Sequence, residues 1–262
     1  MPELFPPGIR PLAGTCGIVA GIANEHSIAF GCAKAFHAGG AELAITYLND
    51  KARPHVEPLA QRLGAPVFLP LDVTDSGQMQ ALFDSVRDRW GRLDFLLHAI
   101  AYAPKEDLQG RLVDCSTEGF LTAMDISCHS FIRMARLAEP LMGAGGTLIT
   151  MSYYGAEKVI PDYDVMGPVK AALEASVRYL AYELGSKGIR VHAVSPGPLK
   201  TRAASGLKGF DDLLAMSARR APEHELVDID DVGVATAFLA TPYARLITGG
   251  TIHVDGGYHV MG

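Results

Sequence analysis

Seven short runs rich in apolar and β-branched residues alternate with longer helical stretches from one end of the chain to the other. Few folds accept that order. Strands and helices in strict alternation bury their apolar surfaces when the strands lie parallel in one sheet and the helices cover its faces. The runs are residues 16–22, 42–48, 66–72, 93–101, 146–153, 189–196 and 250–255, and segments such as GIVAGI and DFLLHAIA are almost continuously apolar, as strands covered on both faces must be. The helical stretches fall at 27–37, 51–63, 76–90, 118–142, 162–185 and 229–239. The pattern predicts a single α/β domain over residues 1–262, a Rossmann-type doubly wound fold with a seven-stranded parallel sheet. Gly39-Gly40 and Gly185 stand where helices should stop and are expected to form left-handed caps.

A chain of 262 residues, 48% hydrophobic and 20% charged, is large enough for one sizeable core. Its net charge of -6 supplies no basic field for nucleic acid, and no local Lys/Arg block makes one. The first fourteen residues, MPELFPPGIRPLAG, hold neither a secretory apolar run nor a membrane span, so a cytoplasmic location is expected. Cys16, Cys32, Cys115 and Cys128 are widely spaced and form no CxxC pair, which predicts reduced, mostly buried thiols and no metal site.

The first run leads into GIANEHSIAFG, in which Gly21 ends the strand and Ser27 opens a helix. A glycine lets backbone approach a phosphate, and a helix N-terminus offers unpaired N–H groups and partial positive charge. The spacing departs from GxGxxG, and Gly21 as a plain turn with Ser27 as a plain N-cap reads equally well. Two further features favour a dinucleotide. Asp72 and Val73 end the third strand, where a carboxylate and a backbone edge can meet adenine, and HAIAYAP after the fourth places small Ala99 and Ala101 where a cofactor can lie against backbone. His98 is expected to be a satisfied buried histidine.

In MSYYGAEKVIPDYDVMGPVKAALEA, Tyr163 and Lys170 are seven residues apart, within about 20° of two helical turns, so both are expected on one face of one helix. There Lys170 could hold ribose hydroxyls and, as a nearby cation, favour negative charge on the phenol. The plainer alternative is a solvent-facing pair on an amphipathic helix. The connection at 198–225 is long, holds AASGLKGF and Arg219-Arg220, and is expected to be functional.

Gly21-x5-Ser27-Ile28-Ala29, SYYGAE, Tyr163-x6-Lys170, PGPLKT with the AASGL that follows, and HVDGG together resemble the divergent branch of the short-chain dehydrogenase/reductases, and within it the NADH-dependent enoyl-acyl-carrier-protein reductases. The similarity covers essentially the whole chain. The majority branch uses Tyr-x3-Lys, so the six-residue spacing is specific. The resemblance implies a catalytic group of Tyr153, Tyr163 and Lys170. It implies cofactor contacts from Gly21, Ser27, Ile28, Asp72, Val73, Ile100, Lys170, Leu199, Thr201 and Ala203, and a substrate wall of Ala103, Tyr153 and Tyr163. Three positions depart from it. Leu48 stands where a ribose-contacting glutamine is common, Ala101 where a glycine is, and Tyr154 where an aliphatic residue is.

The resemblance further implies reduction of the trans-2 double bond of an enoyl thioester by NADH, NADPH being the weaker candidate, in bacterial type II fatty-acid synthesis. The substrate would be an enoyl-acyl carrier protein or enoyl-coenzyme A, and the assembly a homotetramer built through the C-terminal strand and long helices. Within a substrate-binding lid around 198–225, residues 203–210 would cover the acyl chain, with Leu207, Phe210, Leu213 and Leu214 at helical spacing as its apolar wall, although a plain amphipathic helix packed on the domain reads equally well. Two rivals remain at this point: a short-chain dehydrogenase/reductase acting on a carbonyl or alcohol, and a non-catalytic dinucleotide-binding sensor.

Overall fold

A computed structural model describes residues 8–199 and 210–261. Its strands are β1 (Cys16–Ala20), β2 (Glu42–Tyr47), β3 (Val67–Pro70), β4 (Phe95–His98), β5 (Gly146–Met151), β6 (Ile189–Pro196) and β7 (Thr251–Val254), all parallel, in the order β3-β2-β1-β4-β5-β6-β7. The strand order reverses direction between β1 and β4. A crevice therefore opens at the carboxyl ends of those two strands, where neighbouring connections leave toward opposite faces.

The helices are α1 (Ile28–Ala38), α2 (Arg53–Arg62), α3 (Ser76–Trp90), α4 (Lys105–Leu108), α5 (Thr117–Met124), α6 (Ser130–Ala138), α7 (Met166–Leu184), α8 (Phe210–Arg220) and α9 (Ile229–Ala240). Alternation along β1 divides the core. Ile18 and Ala20 pack with α3, α6 and α7 on one face, and Val19 packs with α1, α2 and α9 on the other. Phe36 and Phe95 meet on that second face, ring centroids 4.3 Å apart. Large side chains such as Phe83, Phe95 and Phe131 are fully buried, each contributing about 1.5–3 kcal/mol of transfer free energy. Local caps set helix starts: the Asp75 carboxylate accepts from the N–H groups of Gly77 and Gln78, and Asp228 with Asp231 closes a capping box at α9.

The sequence expectations of a parallel sheet and of seven strands hold among the described residues, but three local features differ. The stretch 118–142 is not one helix. Residues Asp125–His129 form a π turn between α5 and α6, and a short 3-10 turn, Glu139–Leu141, follows α6. The Ser127 hydroxyl bonds both the N–H and the carbonyl of Tyr102, and Ser130 returns its proton to the Ile126 carbonyl at 2.6 Å, so side chains compete with the regular ladder.

The stretch 162–185 begins its helix only at Met166, because Asp162 (φ 61°) and Asp164 (φ 36°) adopt backbone angles no right-handed helix accepts. Of the expected caps, Gly40 is left-handed (φ 98°), whereas Gly185 stays right-handed and Gly188 (φ 72°) makes the turn. All four cysteines are free, three of them buried. Among the described residues no helix is long and apolar enough to cross a membrane.

Candidate active site

The crevice at the strand carboxyl ends is a cavity of about 700 Å³, within the range of small-molecule and cofactor sites. Gly21 forms its floor after β1, with φ 111°, and a Cβ there would stand 2.1 Å from the Ala99 carbonyl oxygen. Glycine is thus demanded by the close approach of the β1 and β4 ends. Beyond it, Ser27 precedes α1 with extended backbone, but its hydroxyl accepts from the N–H groups of Ala23 and Asn24 at 3.0 Å and does not cap the helix. The Phe30 and Gly31 N–H groups go to the Ser27 carbonyl at 2.9 and 3.2 Å, which leaves those of Ile28 and Ala29 for another acceptor. Ile28 lines the same wall.

Asp72, Val73 and Ile100 line the cavity beside this floor, and Leu199 closes it from the end of the β6 connection. One carboxylate oxygen of Asp72 accepts from the Thr74 N–H and hydroxyl at 2.9 and 2.7 Å, which fixes the turn after β3. Arg133 holds the same turn from outside, donating to the Val73 carbonyl at 2.8 Å while paired to Asp125. Thr201, Ala203 and Leu207 lie outside the described residues.

Tyr153, Tyr163, Lys170 and Ala103 line the other end. The expectation that Tyr163 and Lys170 share a helix is corrected: Tyr163 lies in the turn ahead of α7 and Lys170 in its second turn. They still reach one cavity because the chain folds the Tyr163 ring onto Gly155, where a Cβ would come within 2.4 Å of it. Tyr153 meets that ring edge-on, centroids 4.9 Å apart and planes at 68°. The buried Tyr153 hydroxyl has no hydrogen-bond partner among the described residues. Burial raises the phenols of both tyrosines well above their usual range, so each is a proton donor.

Lys170, 5% exposed, donates to the Met151 carbonyl at 2.7 Å, and burial lowers its ammonium to about 8. The Tyr163 phenol is raised, not lowered, by burial first and then by the charges of Tyr153 and Glu174. His98 is fully buried, with ring nitrogens 2.9 Å from Thr150 Oγ1 and 2.8 Å from Ser130 Oγ, and burial drives it down to about 3. It is a neutral structural histidine.

Sequence reasoning missed Gly155, the π turn and the buried pair Ser152–Glu174. Along the chain Glu174 is only an acid four residues after Lys170, and nothing there marks it as buried. Ala101 lines the cavity, and Tyr154 turns away from it to donate to the His259 carbonyl at 3.0 Å.

The arrangement fits a dinucleotide: a side-chain-free floor, an uncapped helix N-terminus for an anion, mostly apolar walls, and a cation at the far end.

The family model described as "Enoyl-(Acyl carrier protein) reductase" matches residues 21–259. The chain is 47% identical over 249 residues to "Enoyl-[acyl-carrier-protein] reductase [NADH] 1" of Rhizobium meliloti, covering 95% of this chain and 92% of that protein. Among solved structures, the Anaplasma phagocytophilum reductase in complex with NAD superposes with a TM-score of 0.93 at 48% identity, covering 97% of each chain. The Bacillus cereus enoyl-acyl carrier protein reductase with NADP+ and indole naphthyridinone gives 0.94 at 41% identity, covering 97% of this chain and all of that one. With the model spanning nearly its full length and relatives this similar over almost every residue, the chain belongs to the enoyl-(acyl carrier protein) reductase family.

Proposed function

We propose that this chain reduces the trans-2 double bond of enoyl-acyl-carrier-protein thioesters with NADH, a step of bacterial type II fatty-acid synthesis. The observation that carries the reading is the convergence of Tyr153, Tyr163 and Lys170 on one end of a crevice whose other end is the Gly21–Ser27 cradle. When bound, the nicotinamide supplies the hydride that reduces the substrate's β-carbon. Gly21, Ser27, Ile28, Asp72, Val73, Ile100 and Leu199 hold the cofactor, with Thr201 and Ala203 completing the set, and Lys170 bonds the ribose hydroxyls.

The chain's own chemistry is electrostatic. Tyr163, kept protonated by burial, donates to the thioester oxygen as negative charge develops there and stabilises the enolate. Tyr153, with a hydroxyl unpartnered in the free protein, polarises the same oxygen or shapes the pocket around it. Ala103 lines the substrate side. The apolar wall excludes water that would compete for the oxygen and for the proton the α-carbon needs. The 198–225 connection serves as lid over the acyl chain within one domain of 262 residues; α8 supplies part of it, with Leu214 buried.

Enoyl-coenzyme A is the alternative carrier. The cytoplasm is the expected setting and a homotetramer the expected assembly, the latter supported by Tyr179, Tyr182 and Leu246, three large side chains more than 70% exposed. The deciding experiment follows NADH consumption with a short trans-2-enoyl-acyl carrier protein beside a panel of ketones. Oxidation of NADH with ketones alone would assign a carbonyl reductase, and none with either would leave a dinucleotide-binding sensor.

A further inference from the structure

A buried carboxylate stands behind Lys170. Glu174 follows it by four residues on α7, so the two side chains leave the same face of the helix one turn apart. Glu174 is 7% exposed and Ser152 5%, and the Ser152 hydroxyl donates to Glu174 Oε1 at 2.5 Å. Ser152 lies between Met151, whose carbonyl accepts from the Lys170 ammonium, and Tyr153. The contacts close a ring: helix to lysine, lysine to the end of β5, that end through Ser152 to the carboxylate, and the carboxylate back to the helix.

The other groups that face Lys170 carry no negative charge to balance it. Cys128, from the π turn, is the first electrostatic influence on Lys170 after burial and would raise it as a thiolate, but burial raises the thiol in its turn and so favours the neutral form. His98, on β4, is neutral with both ring nitrogens bonded. Tyr163 is held as the phenol, and Met151 offers a carbonyl dipole. A buried ammonium is costly without a counter-charge, and a buried carboxylate is tolerated when hydrogen-bonded and paired.

We infer that Glu174 is a positioning residue for the reaction: it is the counter-charge that keeps Lys170 an ammonium inside the dry crevice, and through Ser152 it ties that lysine to the strand end bearing Tyr153. The inference rests on the proposed role of Lys170 in holding the cofactor. Its chemistry is separable from substrate identity, because a neutral lysine amine is a weaker partner for ribose hydroxyls whatever the substrate is.

The test measures NADH affinity by nicotinamide fluorescence, and kcat/KM with the enoyl thioester, between about pH 6 and 10 in the full-length protein. Wild type loses both in an alkaline limb as Lys170 gives up its proton. Glu174→Gln keeps the size and can still accept from Ser152, but lacks the charge. Its limb moves toward acid by about one pH unit, a roughly tenfold loss of affinity in the alkaline arm. Ser152→Ala removes the hydrogen bond and keeps the charge, so its limb stays at the wild-type position.

A Glu174→Gln limb that coincides with wild type overturns the inference. So does a uniform loss at every pH, the mark of a merely structural role, or an equal displacement in Ser152→Ala. Should Glu174→Gln not fold, Glu174→Asp, with the charge drawn back by one methylene, must show a smaller displacement in the same direction, and coincidence again overturns. Affinity is read without substrate. An enzyme that binds NADH yet reduces no enoyl thioester sinks the proposed reaction, while the binding limb still decides this one.

Discussion

The Lys170 ammonium donates a hydrogen bond to the Met151 carbonyl, 2.7 Å away, while the Tyr163 ring is clasped between Tyr153 and the backbone of Gly155. Lysine and tyrosine therefore have separate anchors, and their substitutions should separate too. Tyr163→Phe keeps the ring contacts and removes one oxygen, so NADH affinity stays within about twofold while kcat falls roughly 10²-fold, the usual loss for an oxyanion donor. Lys170→Ala weakens NADH binding and turnover together. Fluorescence titration beside steady-state rates checks the pair, and equal losses of affinity in both variants would refute the division of labour.

Lysine burial has a sign that can be read in stability as well as in binding. The Lys170 ammonium falls from an ordinary 10.5 to about 8 in the fold. Below pH 8 both folded and unfolded chains carry the proton, and the fold bears a net cost of about 3 kcal/mol for burying the ammonium. Between pH 8 and 10.5 the unfolded chain binds more protons than the folded one, so this group's contribution to stability rises with pH. Denaturant melts of wild type and Lys170→Met should show wild type gaining on the variant across that window, even as its NADH affinity declines. A constant difference between the two proteins would mean that Lys170 is not desolvated.

At Gly21 geometry allows little freedom. A Cβ would meet the Ala99 carbonyl at 2.1 Å, and φ is 111°, where an L side chain is strained by itself. Gly21→Ala must push β1 and β4 apart at the point where the cofactor cradle opens. We expect a loss of about 2–4 kcal/mol in folding stability and no measurable NADH binding. A variant that melts as wild type does and binds NADH normally would show that the β1–β4 approach is looser than described.

Much of this architecture is legible along the chain because each strand–helix unit carries its own periodicity, and the seven runs at 16–22 through 250–255 each contain the strand found there. What escapes is set by single side chains or backbone angles. The π turn at Asp125–His129 arises from Ser127 and Ser130 bonding to partners that helical periodicity does not register. Tyr163 leaves its helix because Asp162 and Asp164 take positive φ, which aspartate permits but does not announce. Cavity-lining residues such as Gly21 and Asp72 could be named from motif and strand-end position and Lys170 from its spacing to Tyr163, whereas Gly155 and Glu174 acquire meaning only from the ring and the hydroxyl packed against them.

Cofactor choice turns on the end of β2. Leu48, 54% exposed, lines the crevice there and offers a 2′-phosphate no hydrogen bond. Of the nearby cations, Arg53 is already engaged: its guanidinium pairs with Glu57 at 3.1 Å and lies 5.8 Å from the Tyr47 ring centroid, with the Asp50 charge also acting on it. Such a surface pair is weak and screened by salt, but turning Arg53 to a phosphate would forfeit it together with the ring contact. Lys51 is exposed just before α2. We expect kcat/KM with NADH to exceed that with NADPH by roughly tenfold or more, since a charged group left without a partner costs at least that much. Leu48→Arg, which puts a guanidinium where the phosphate would lie, should narrow or reverse the ratio. A wild-type preference for NADPH would overturn the expectation, and Lys51→Ala and Arg53→Ala would then identify which cation had been recruited.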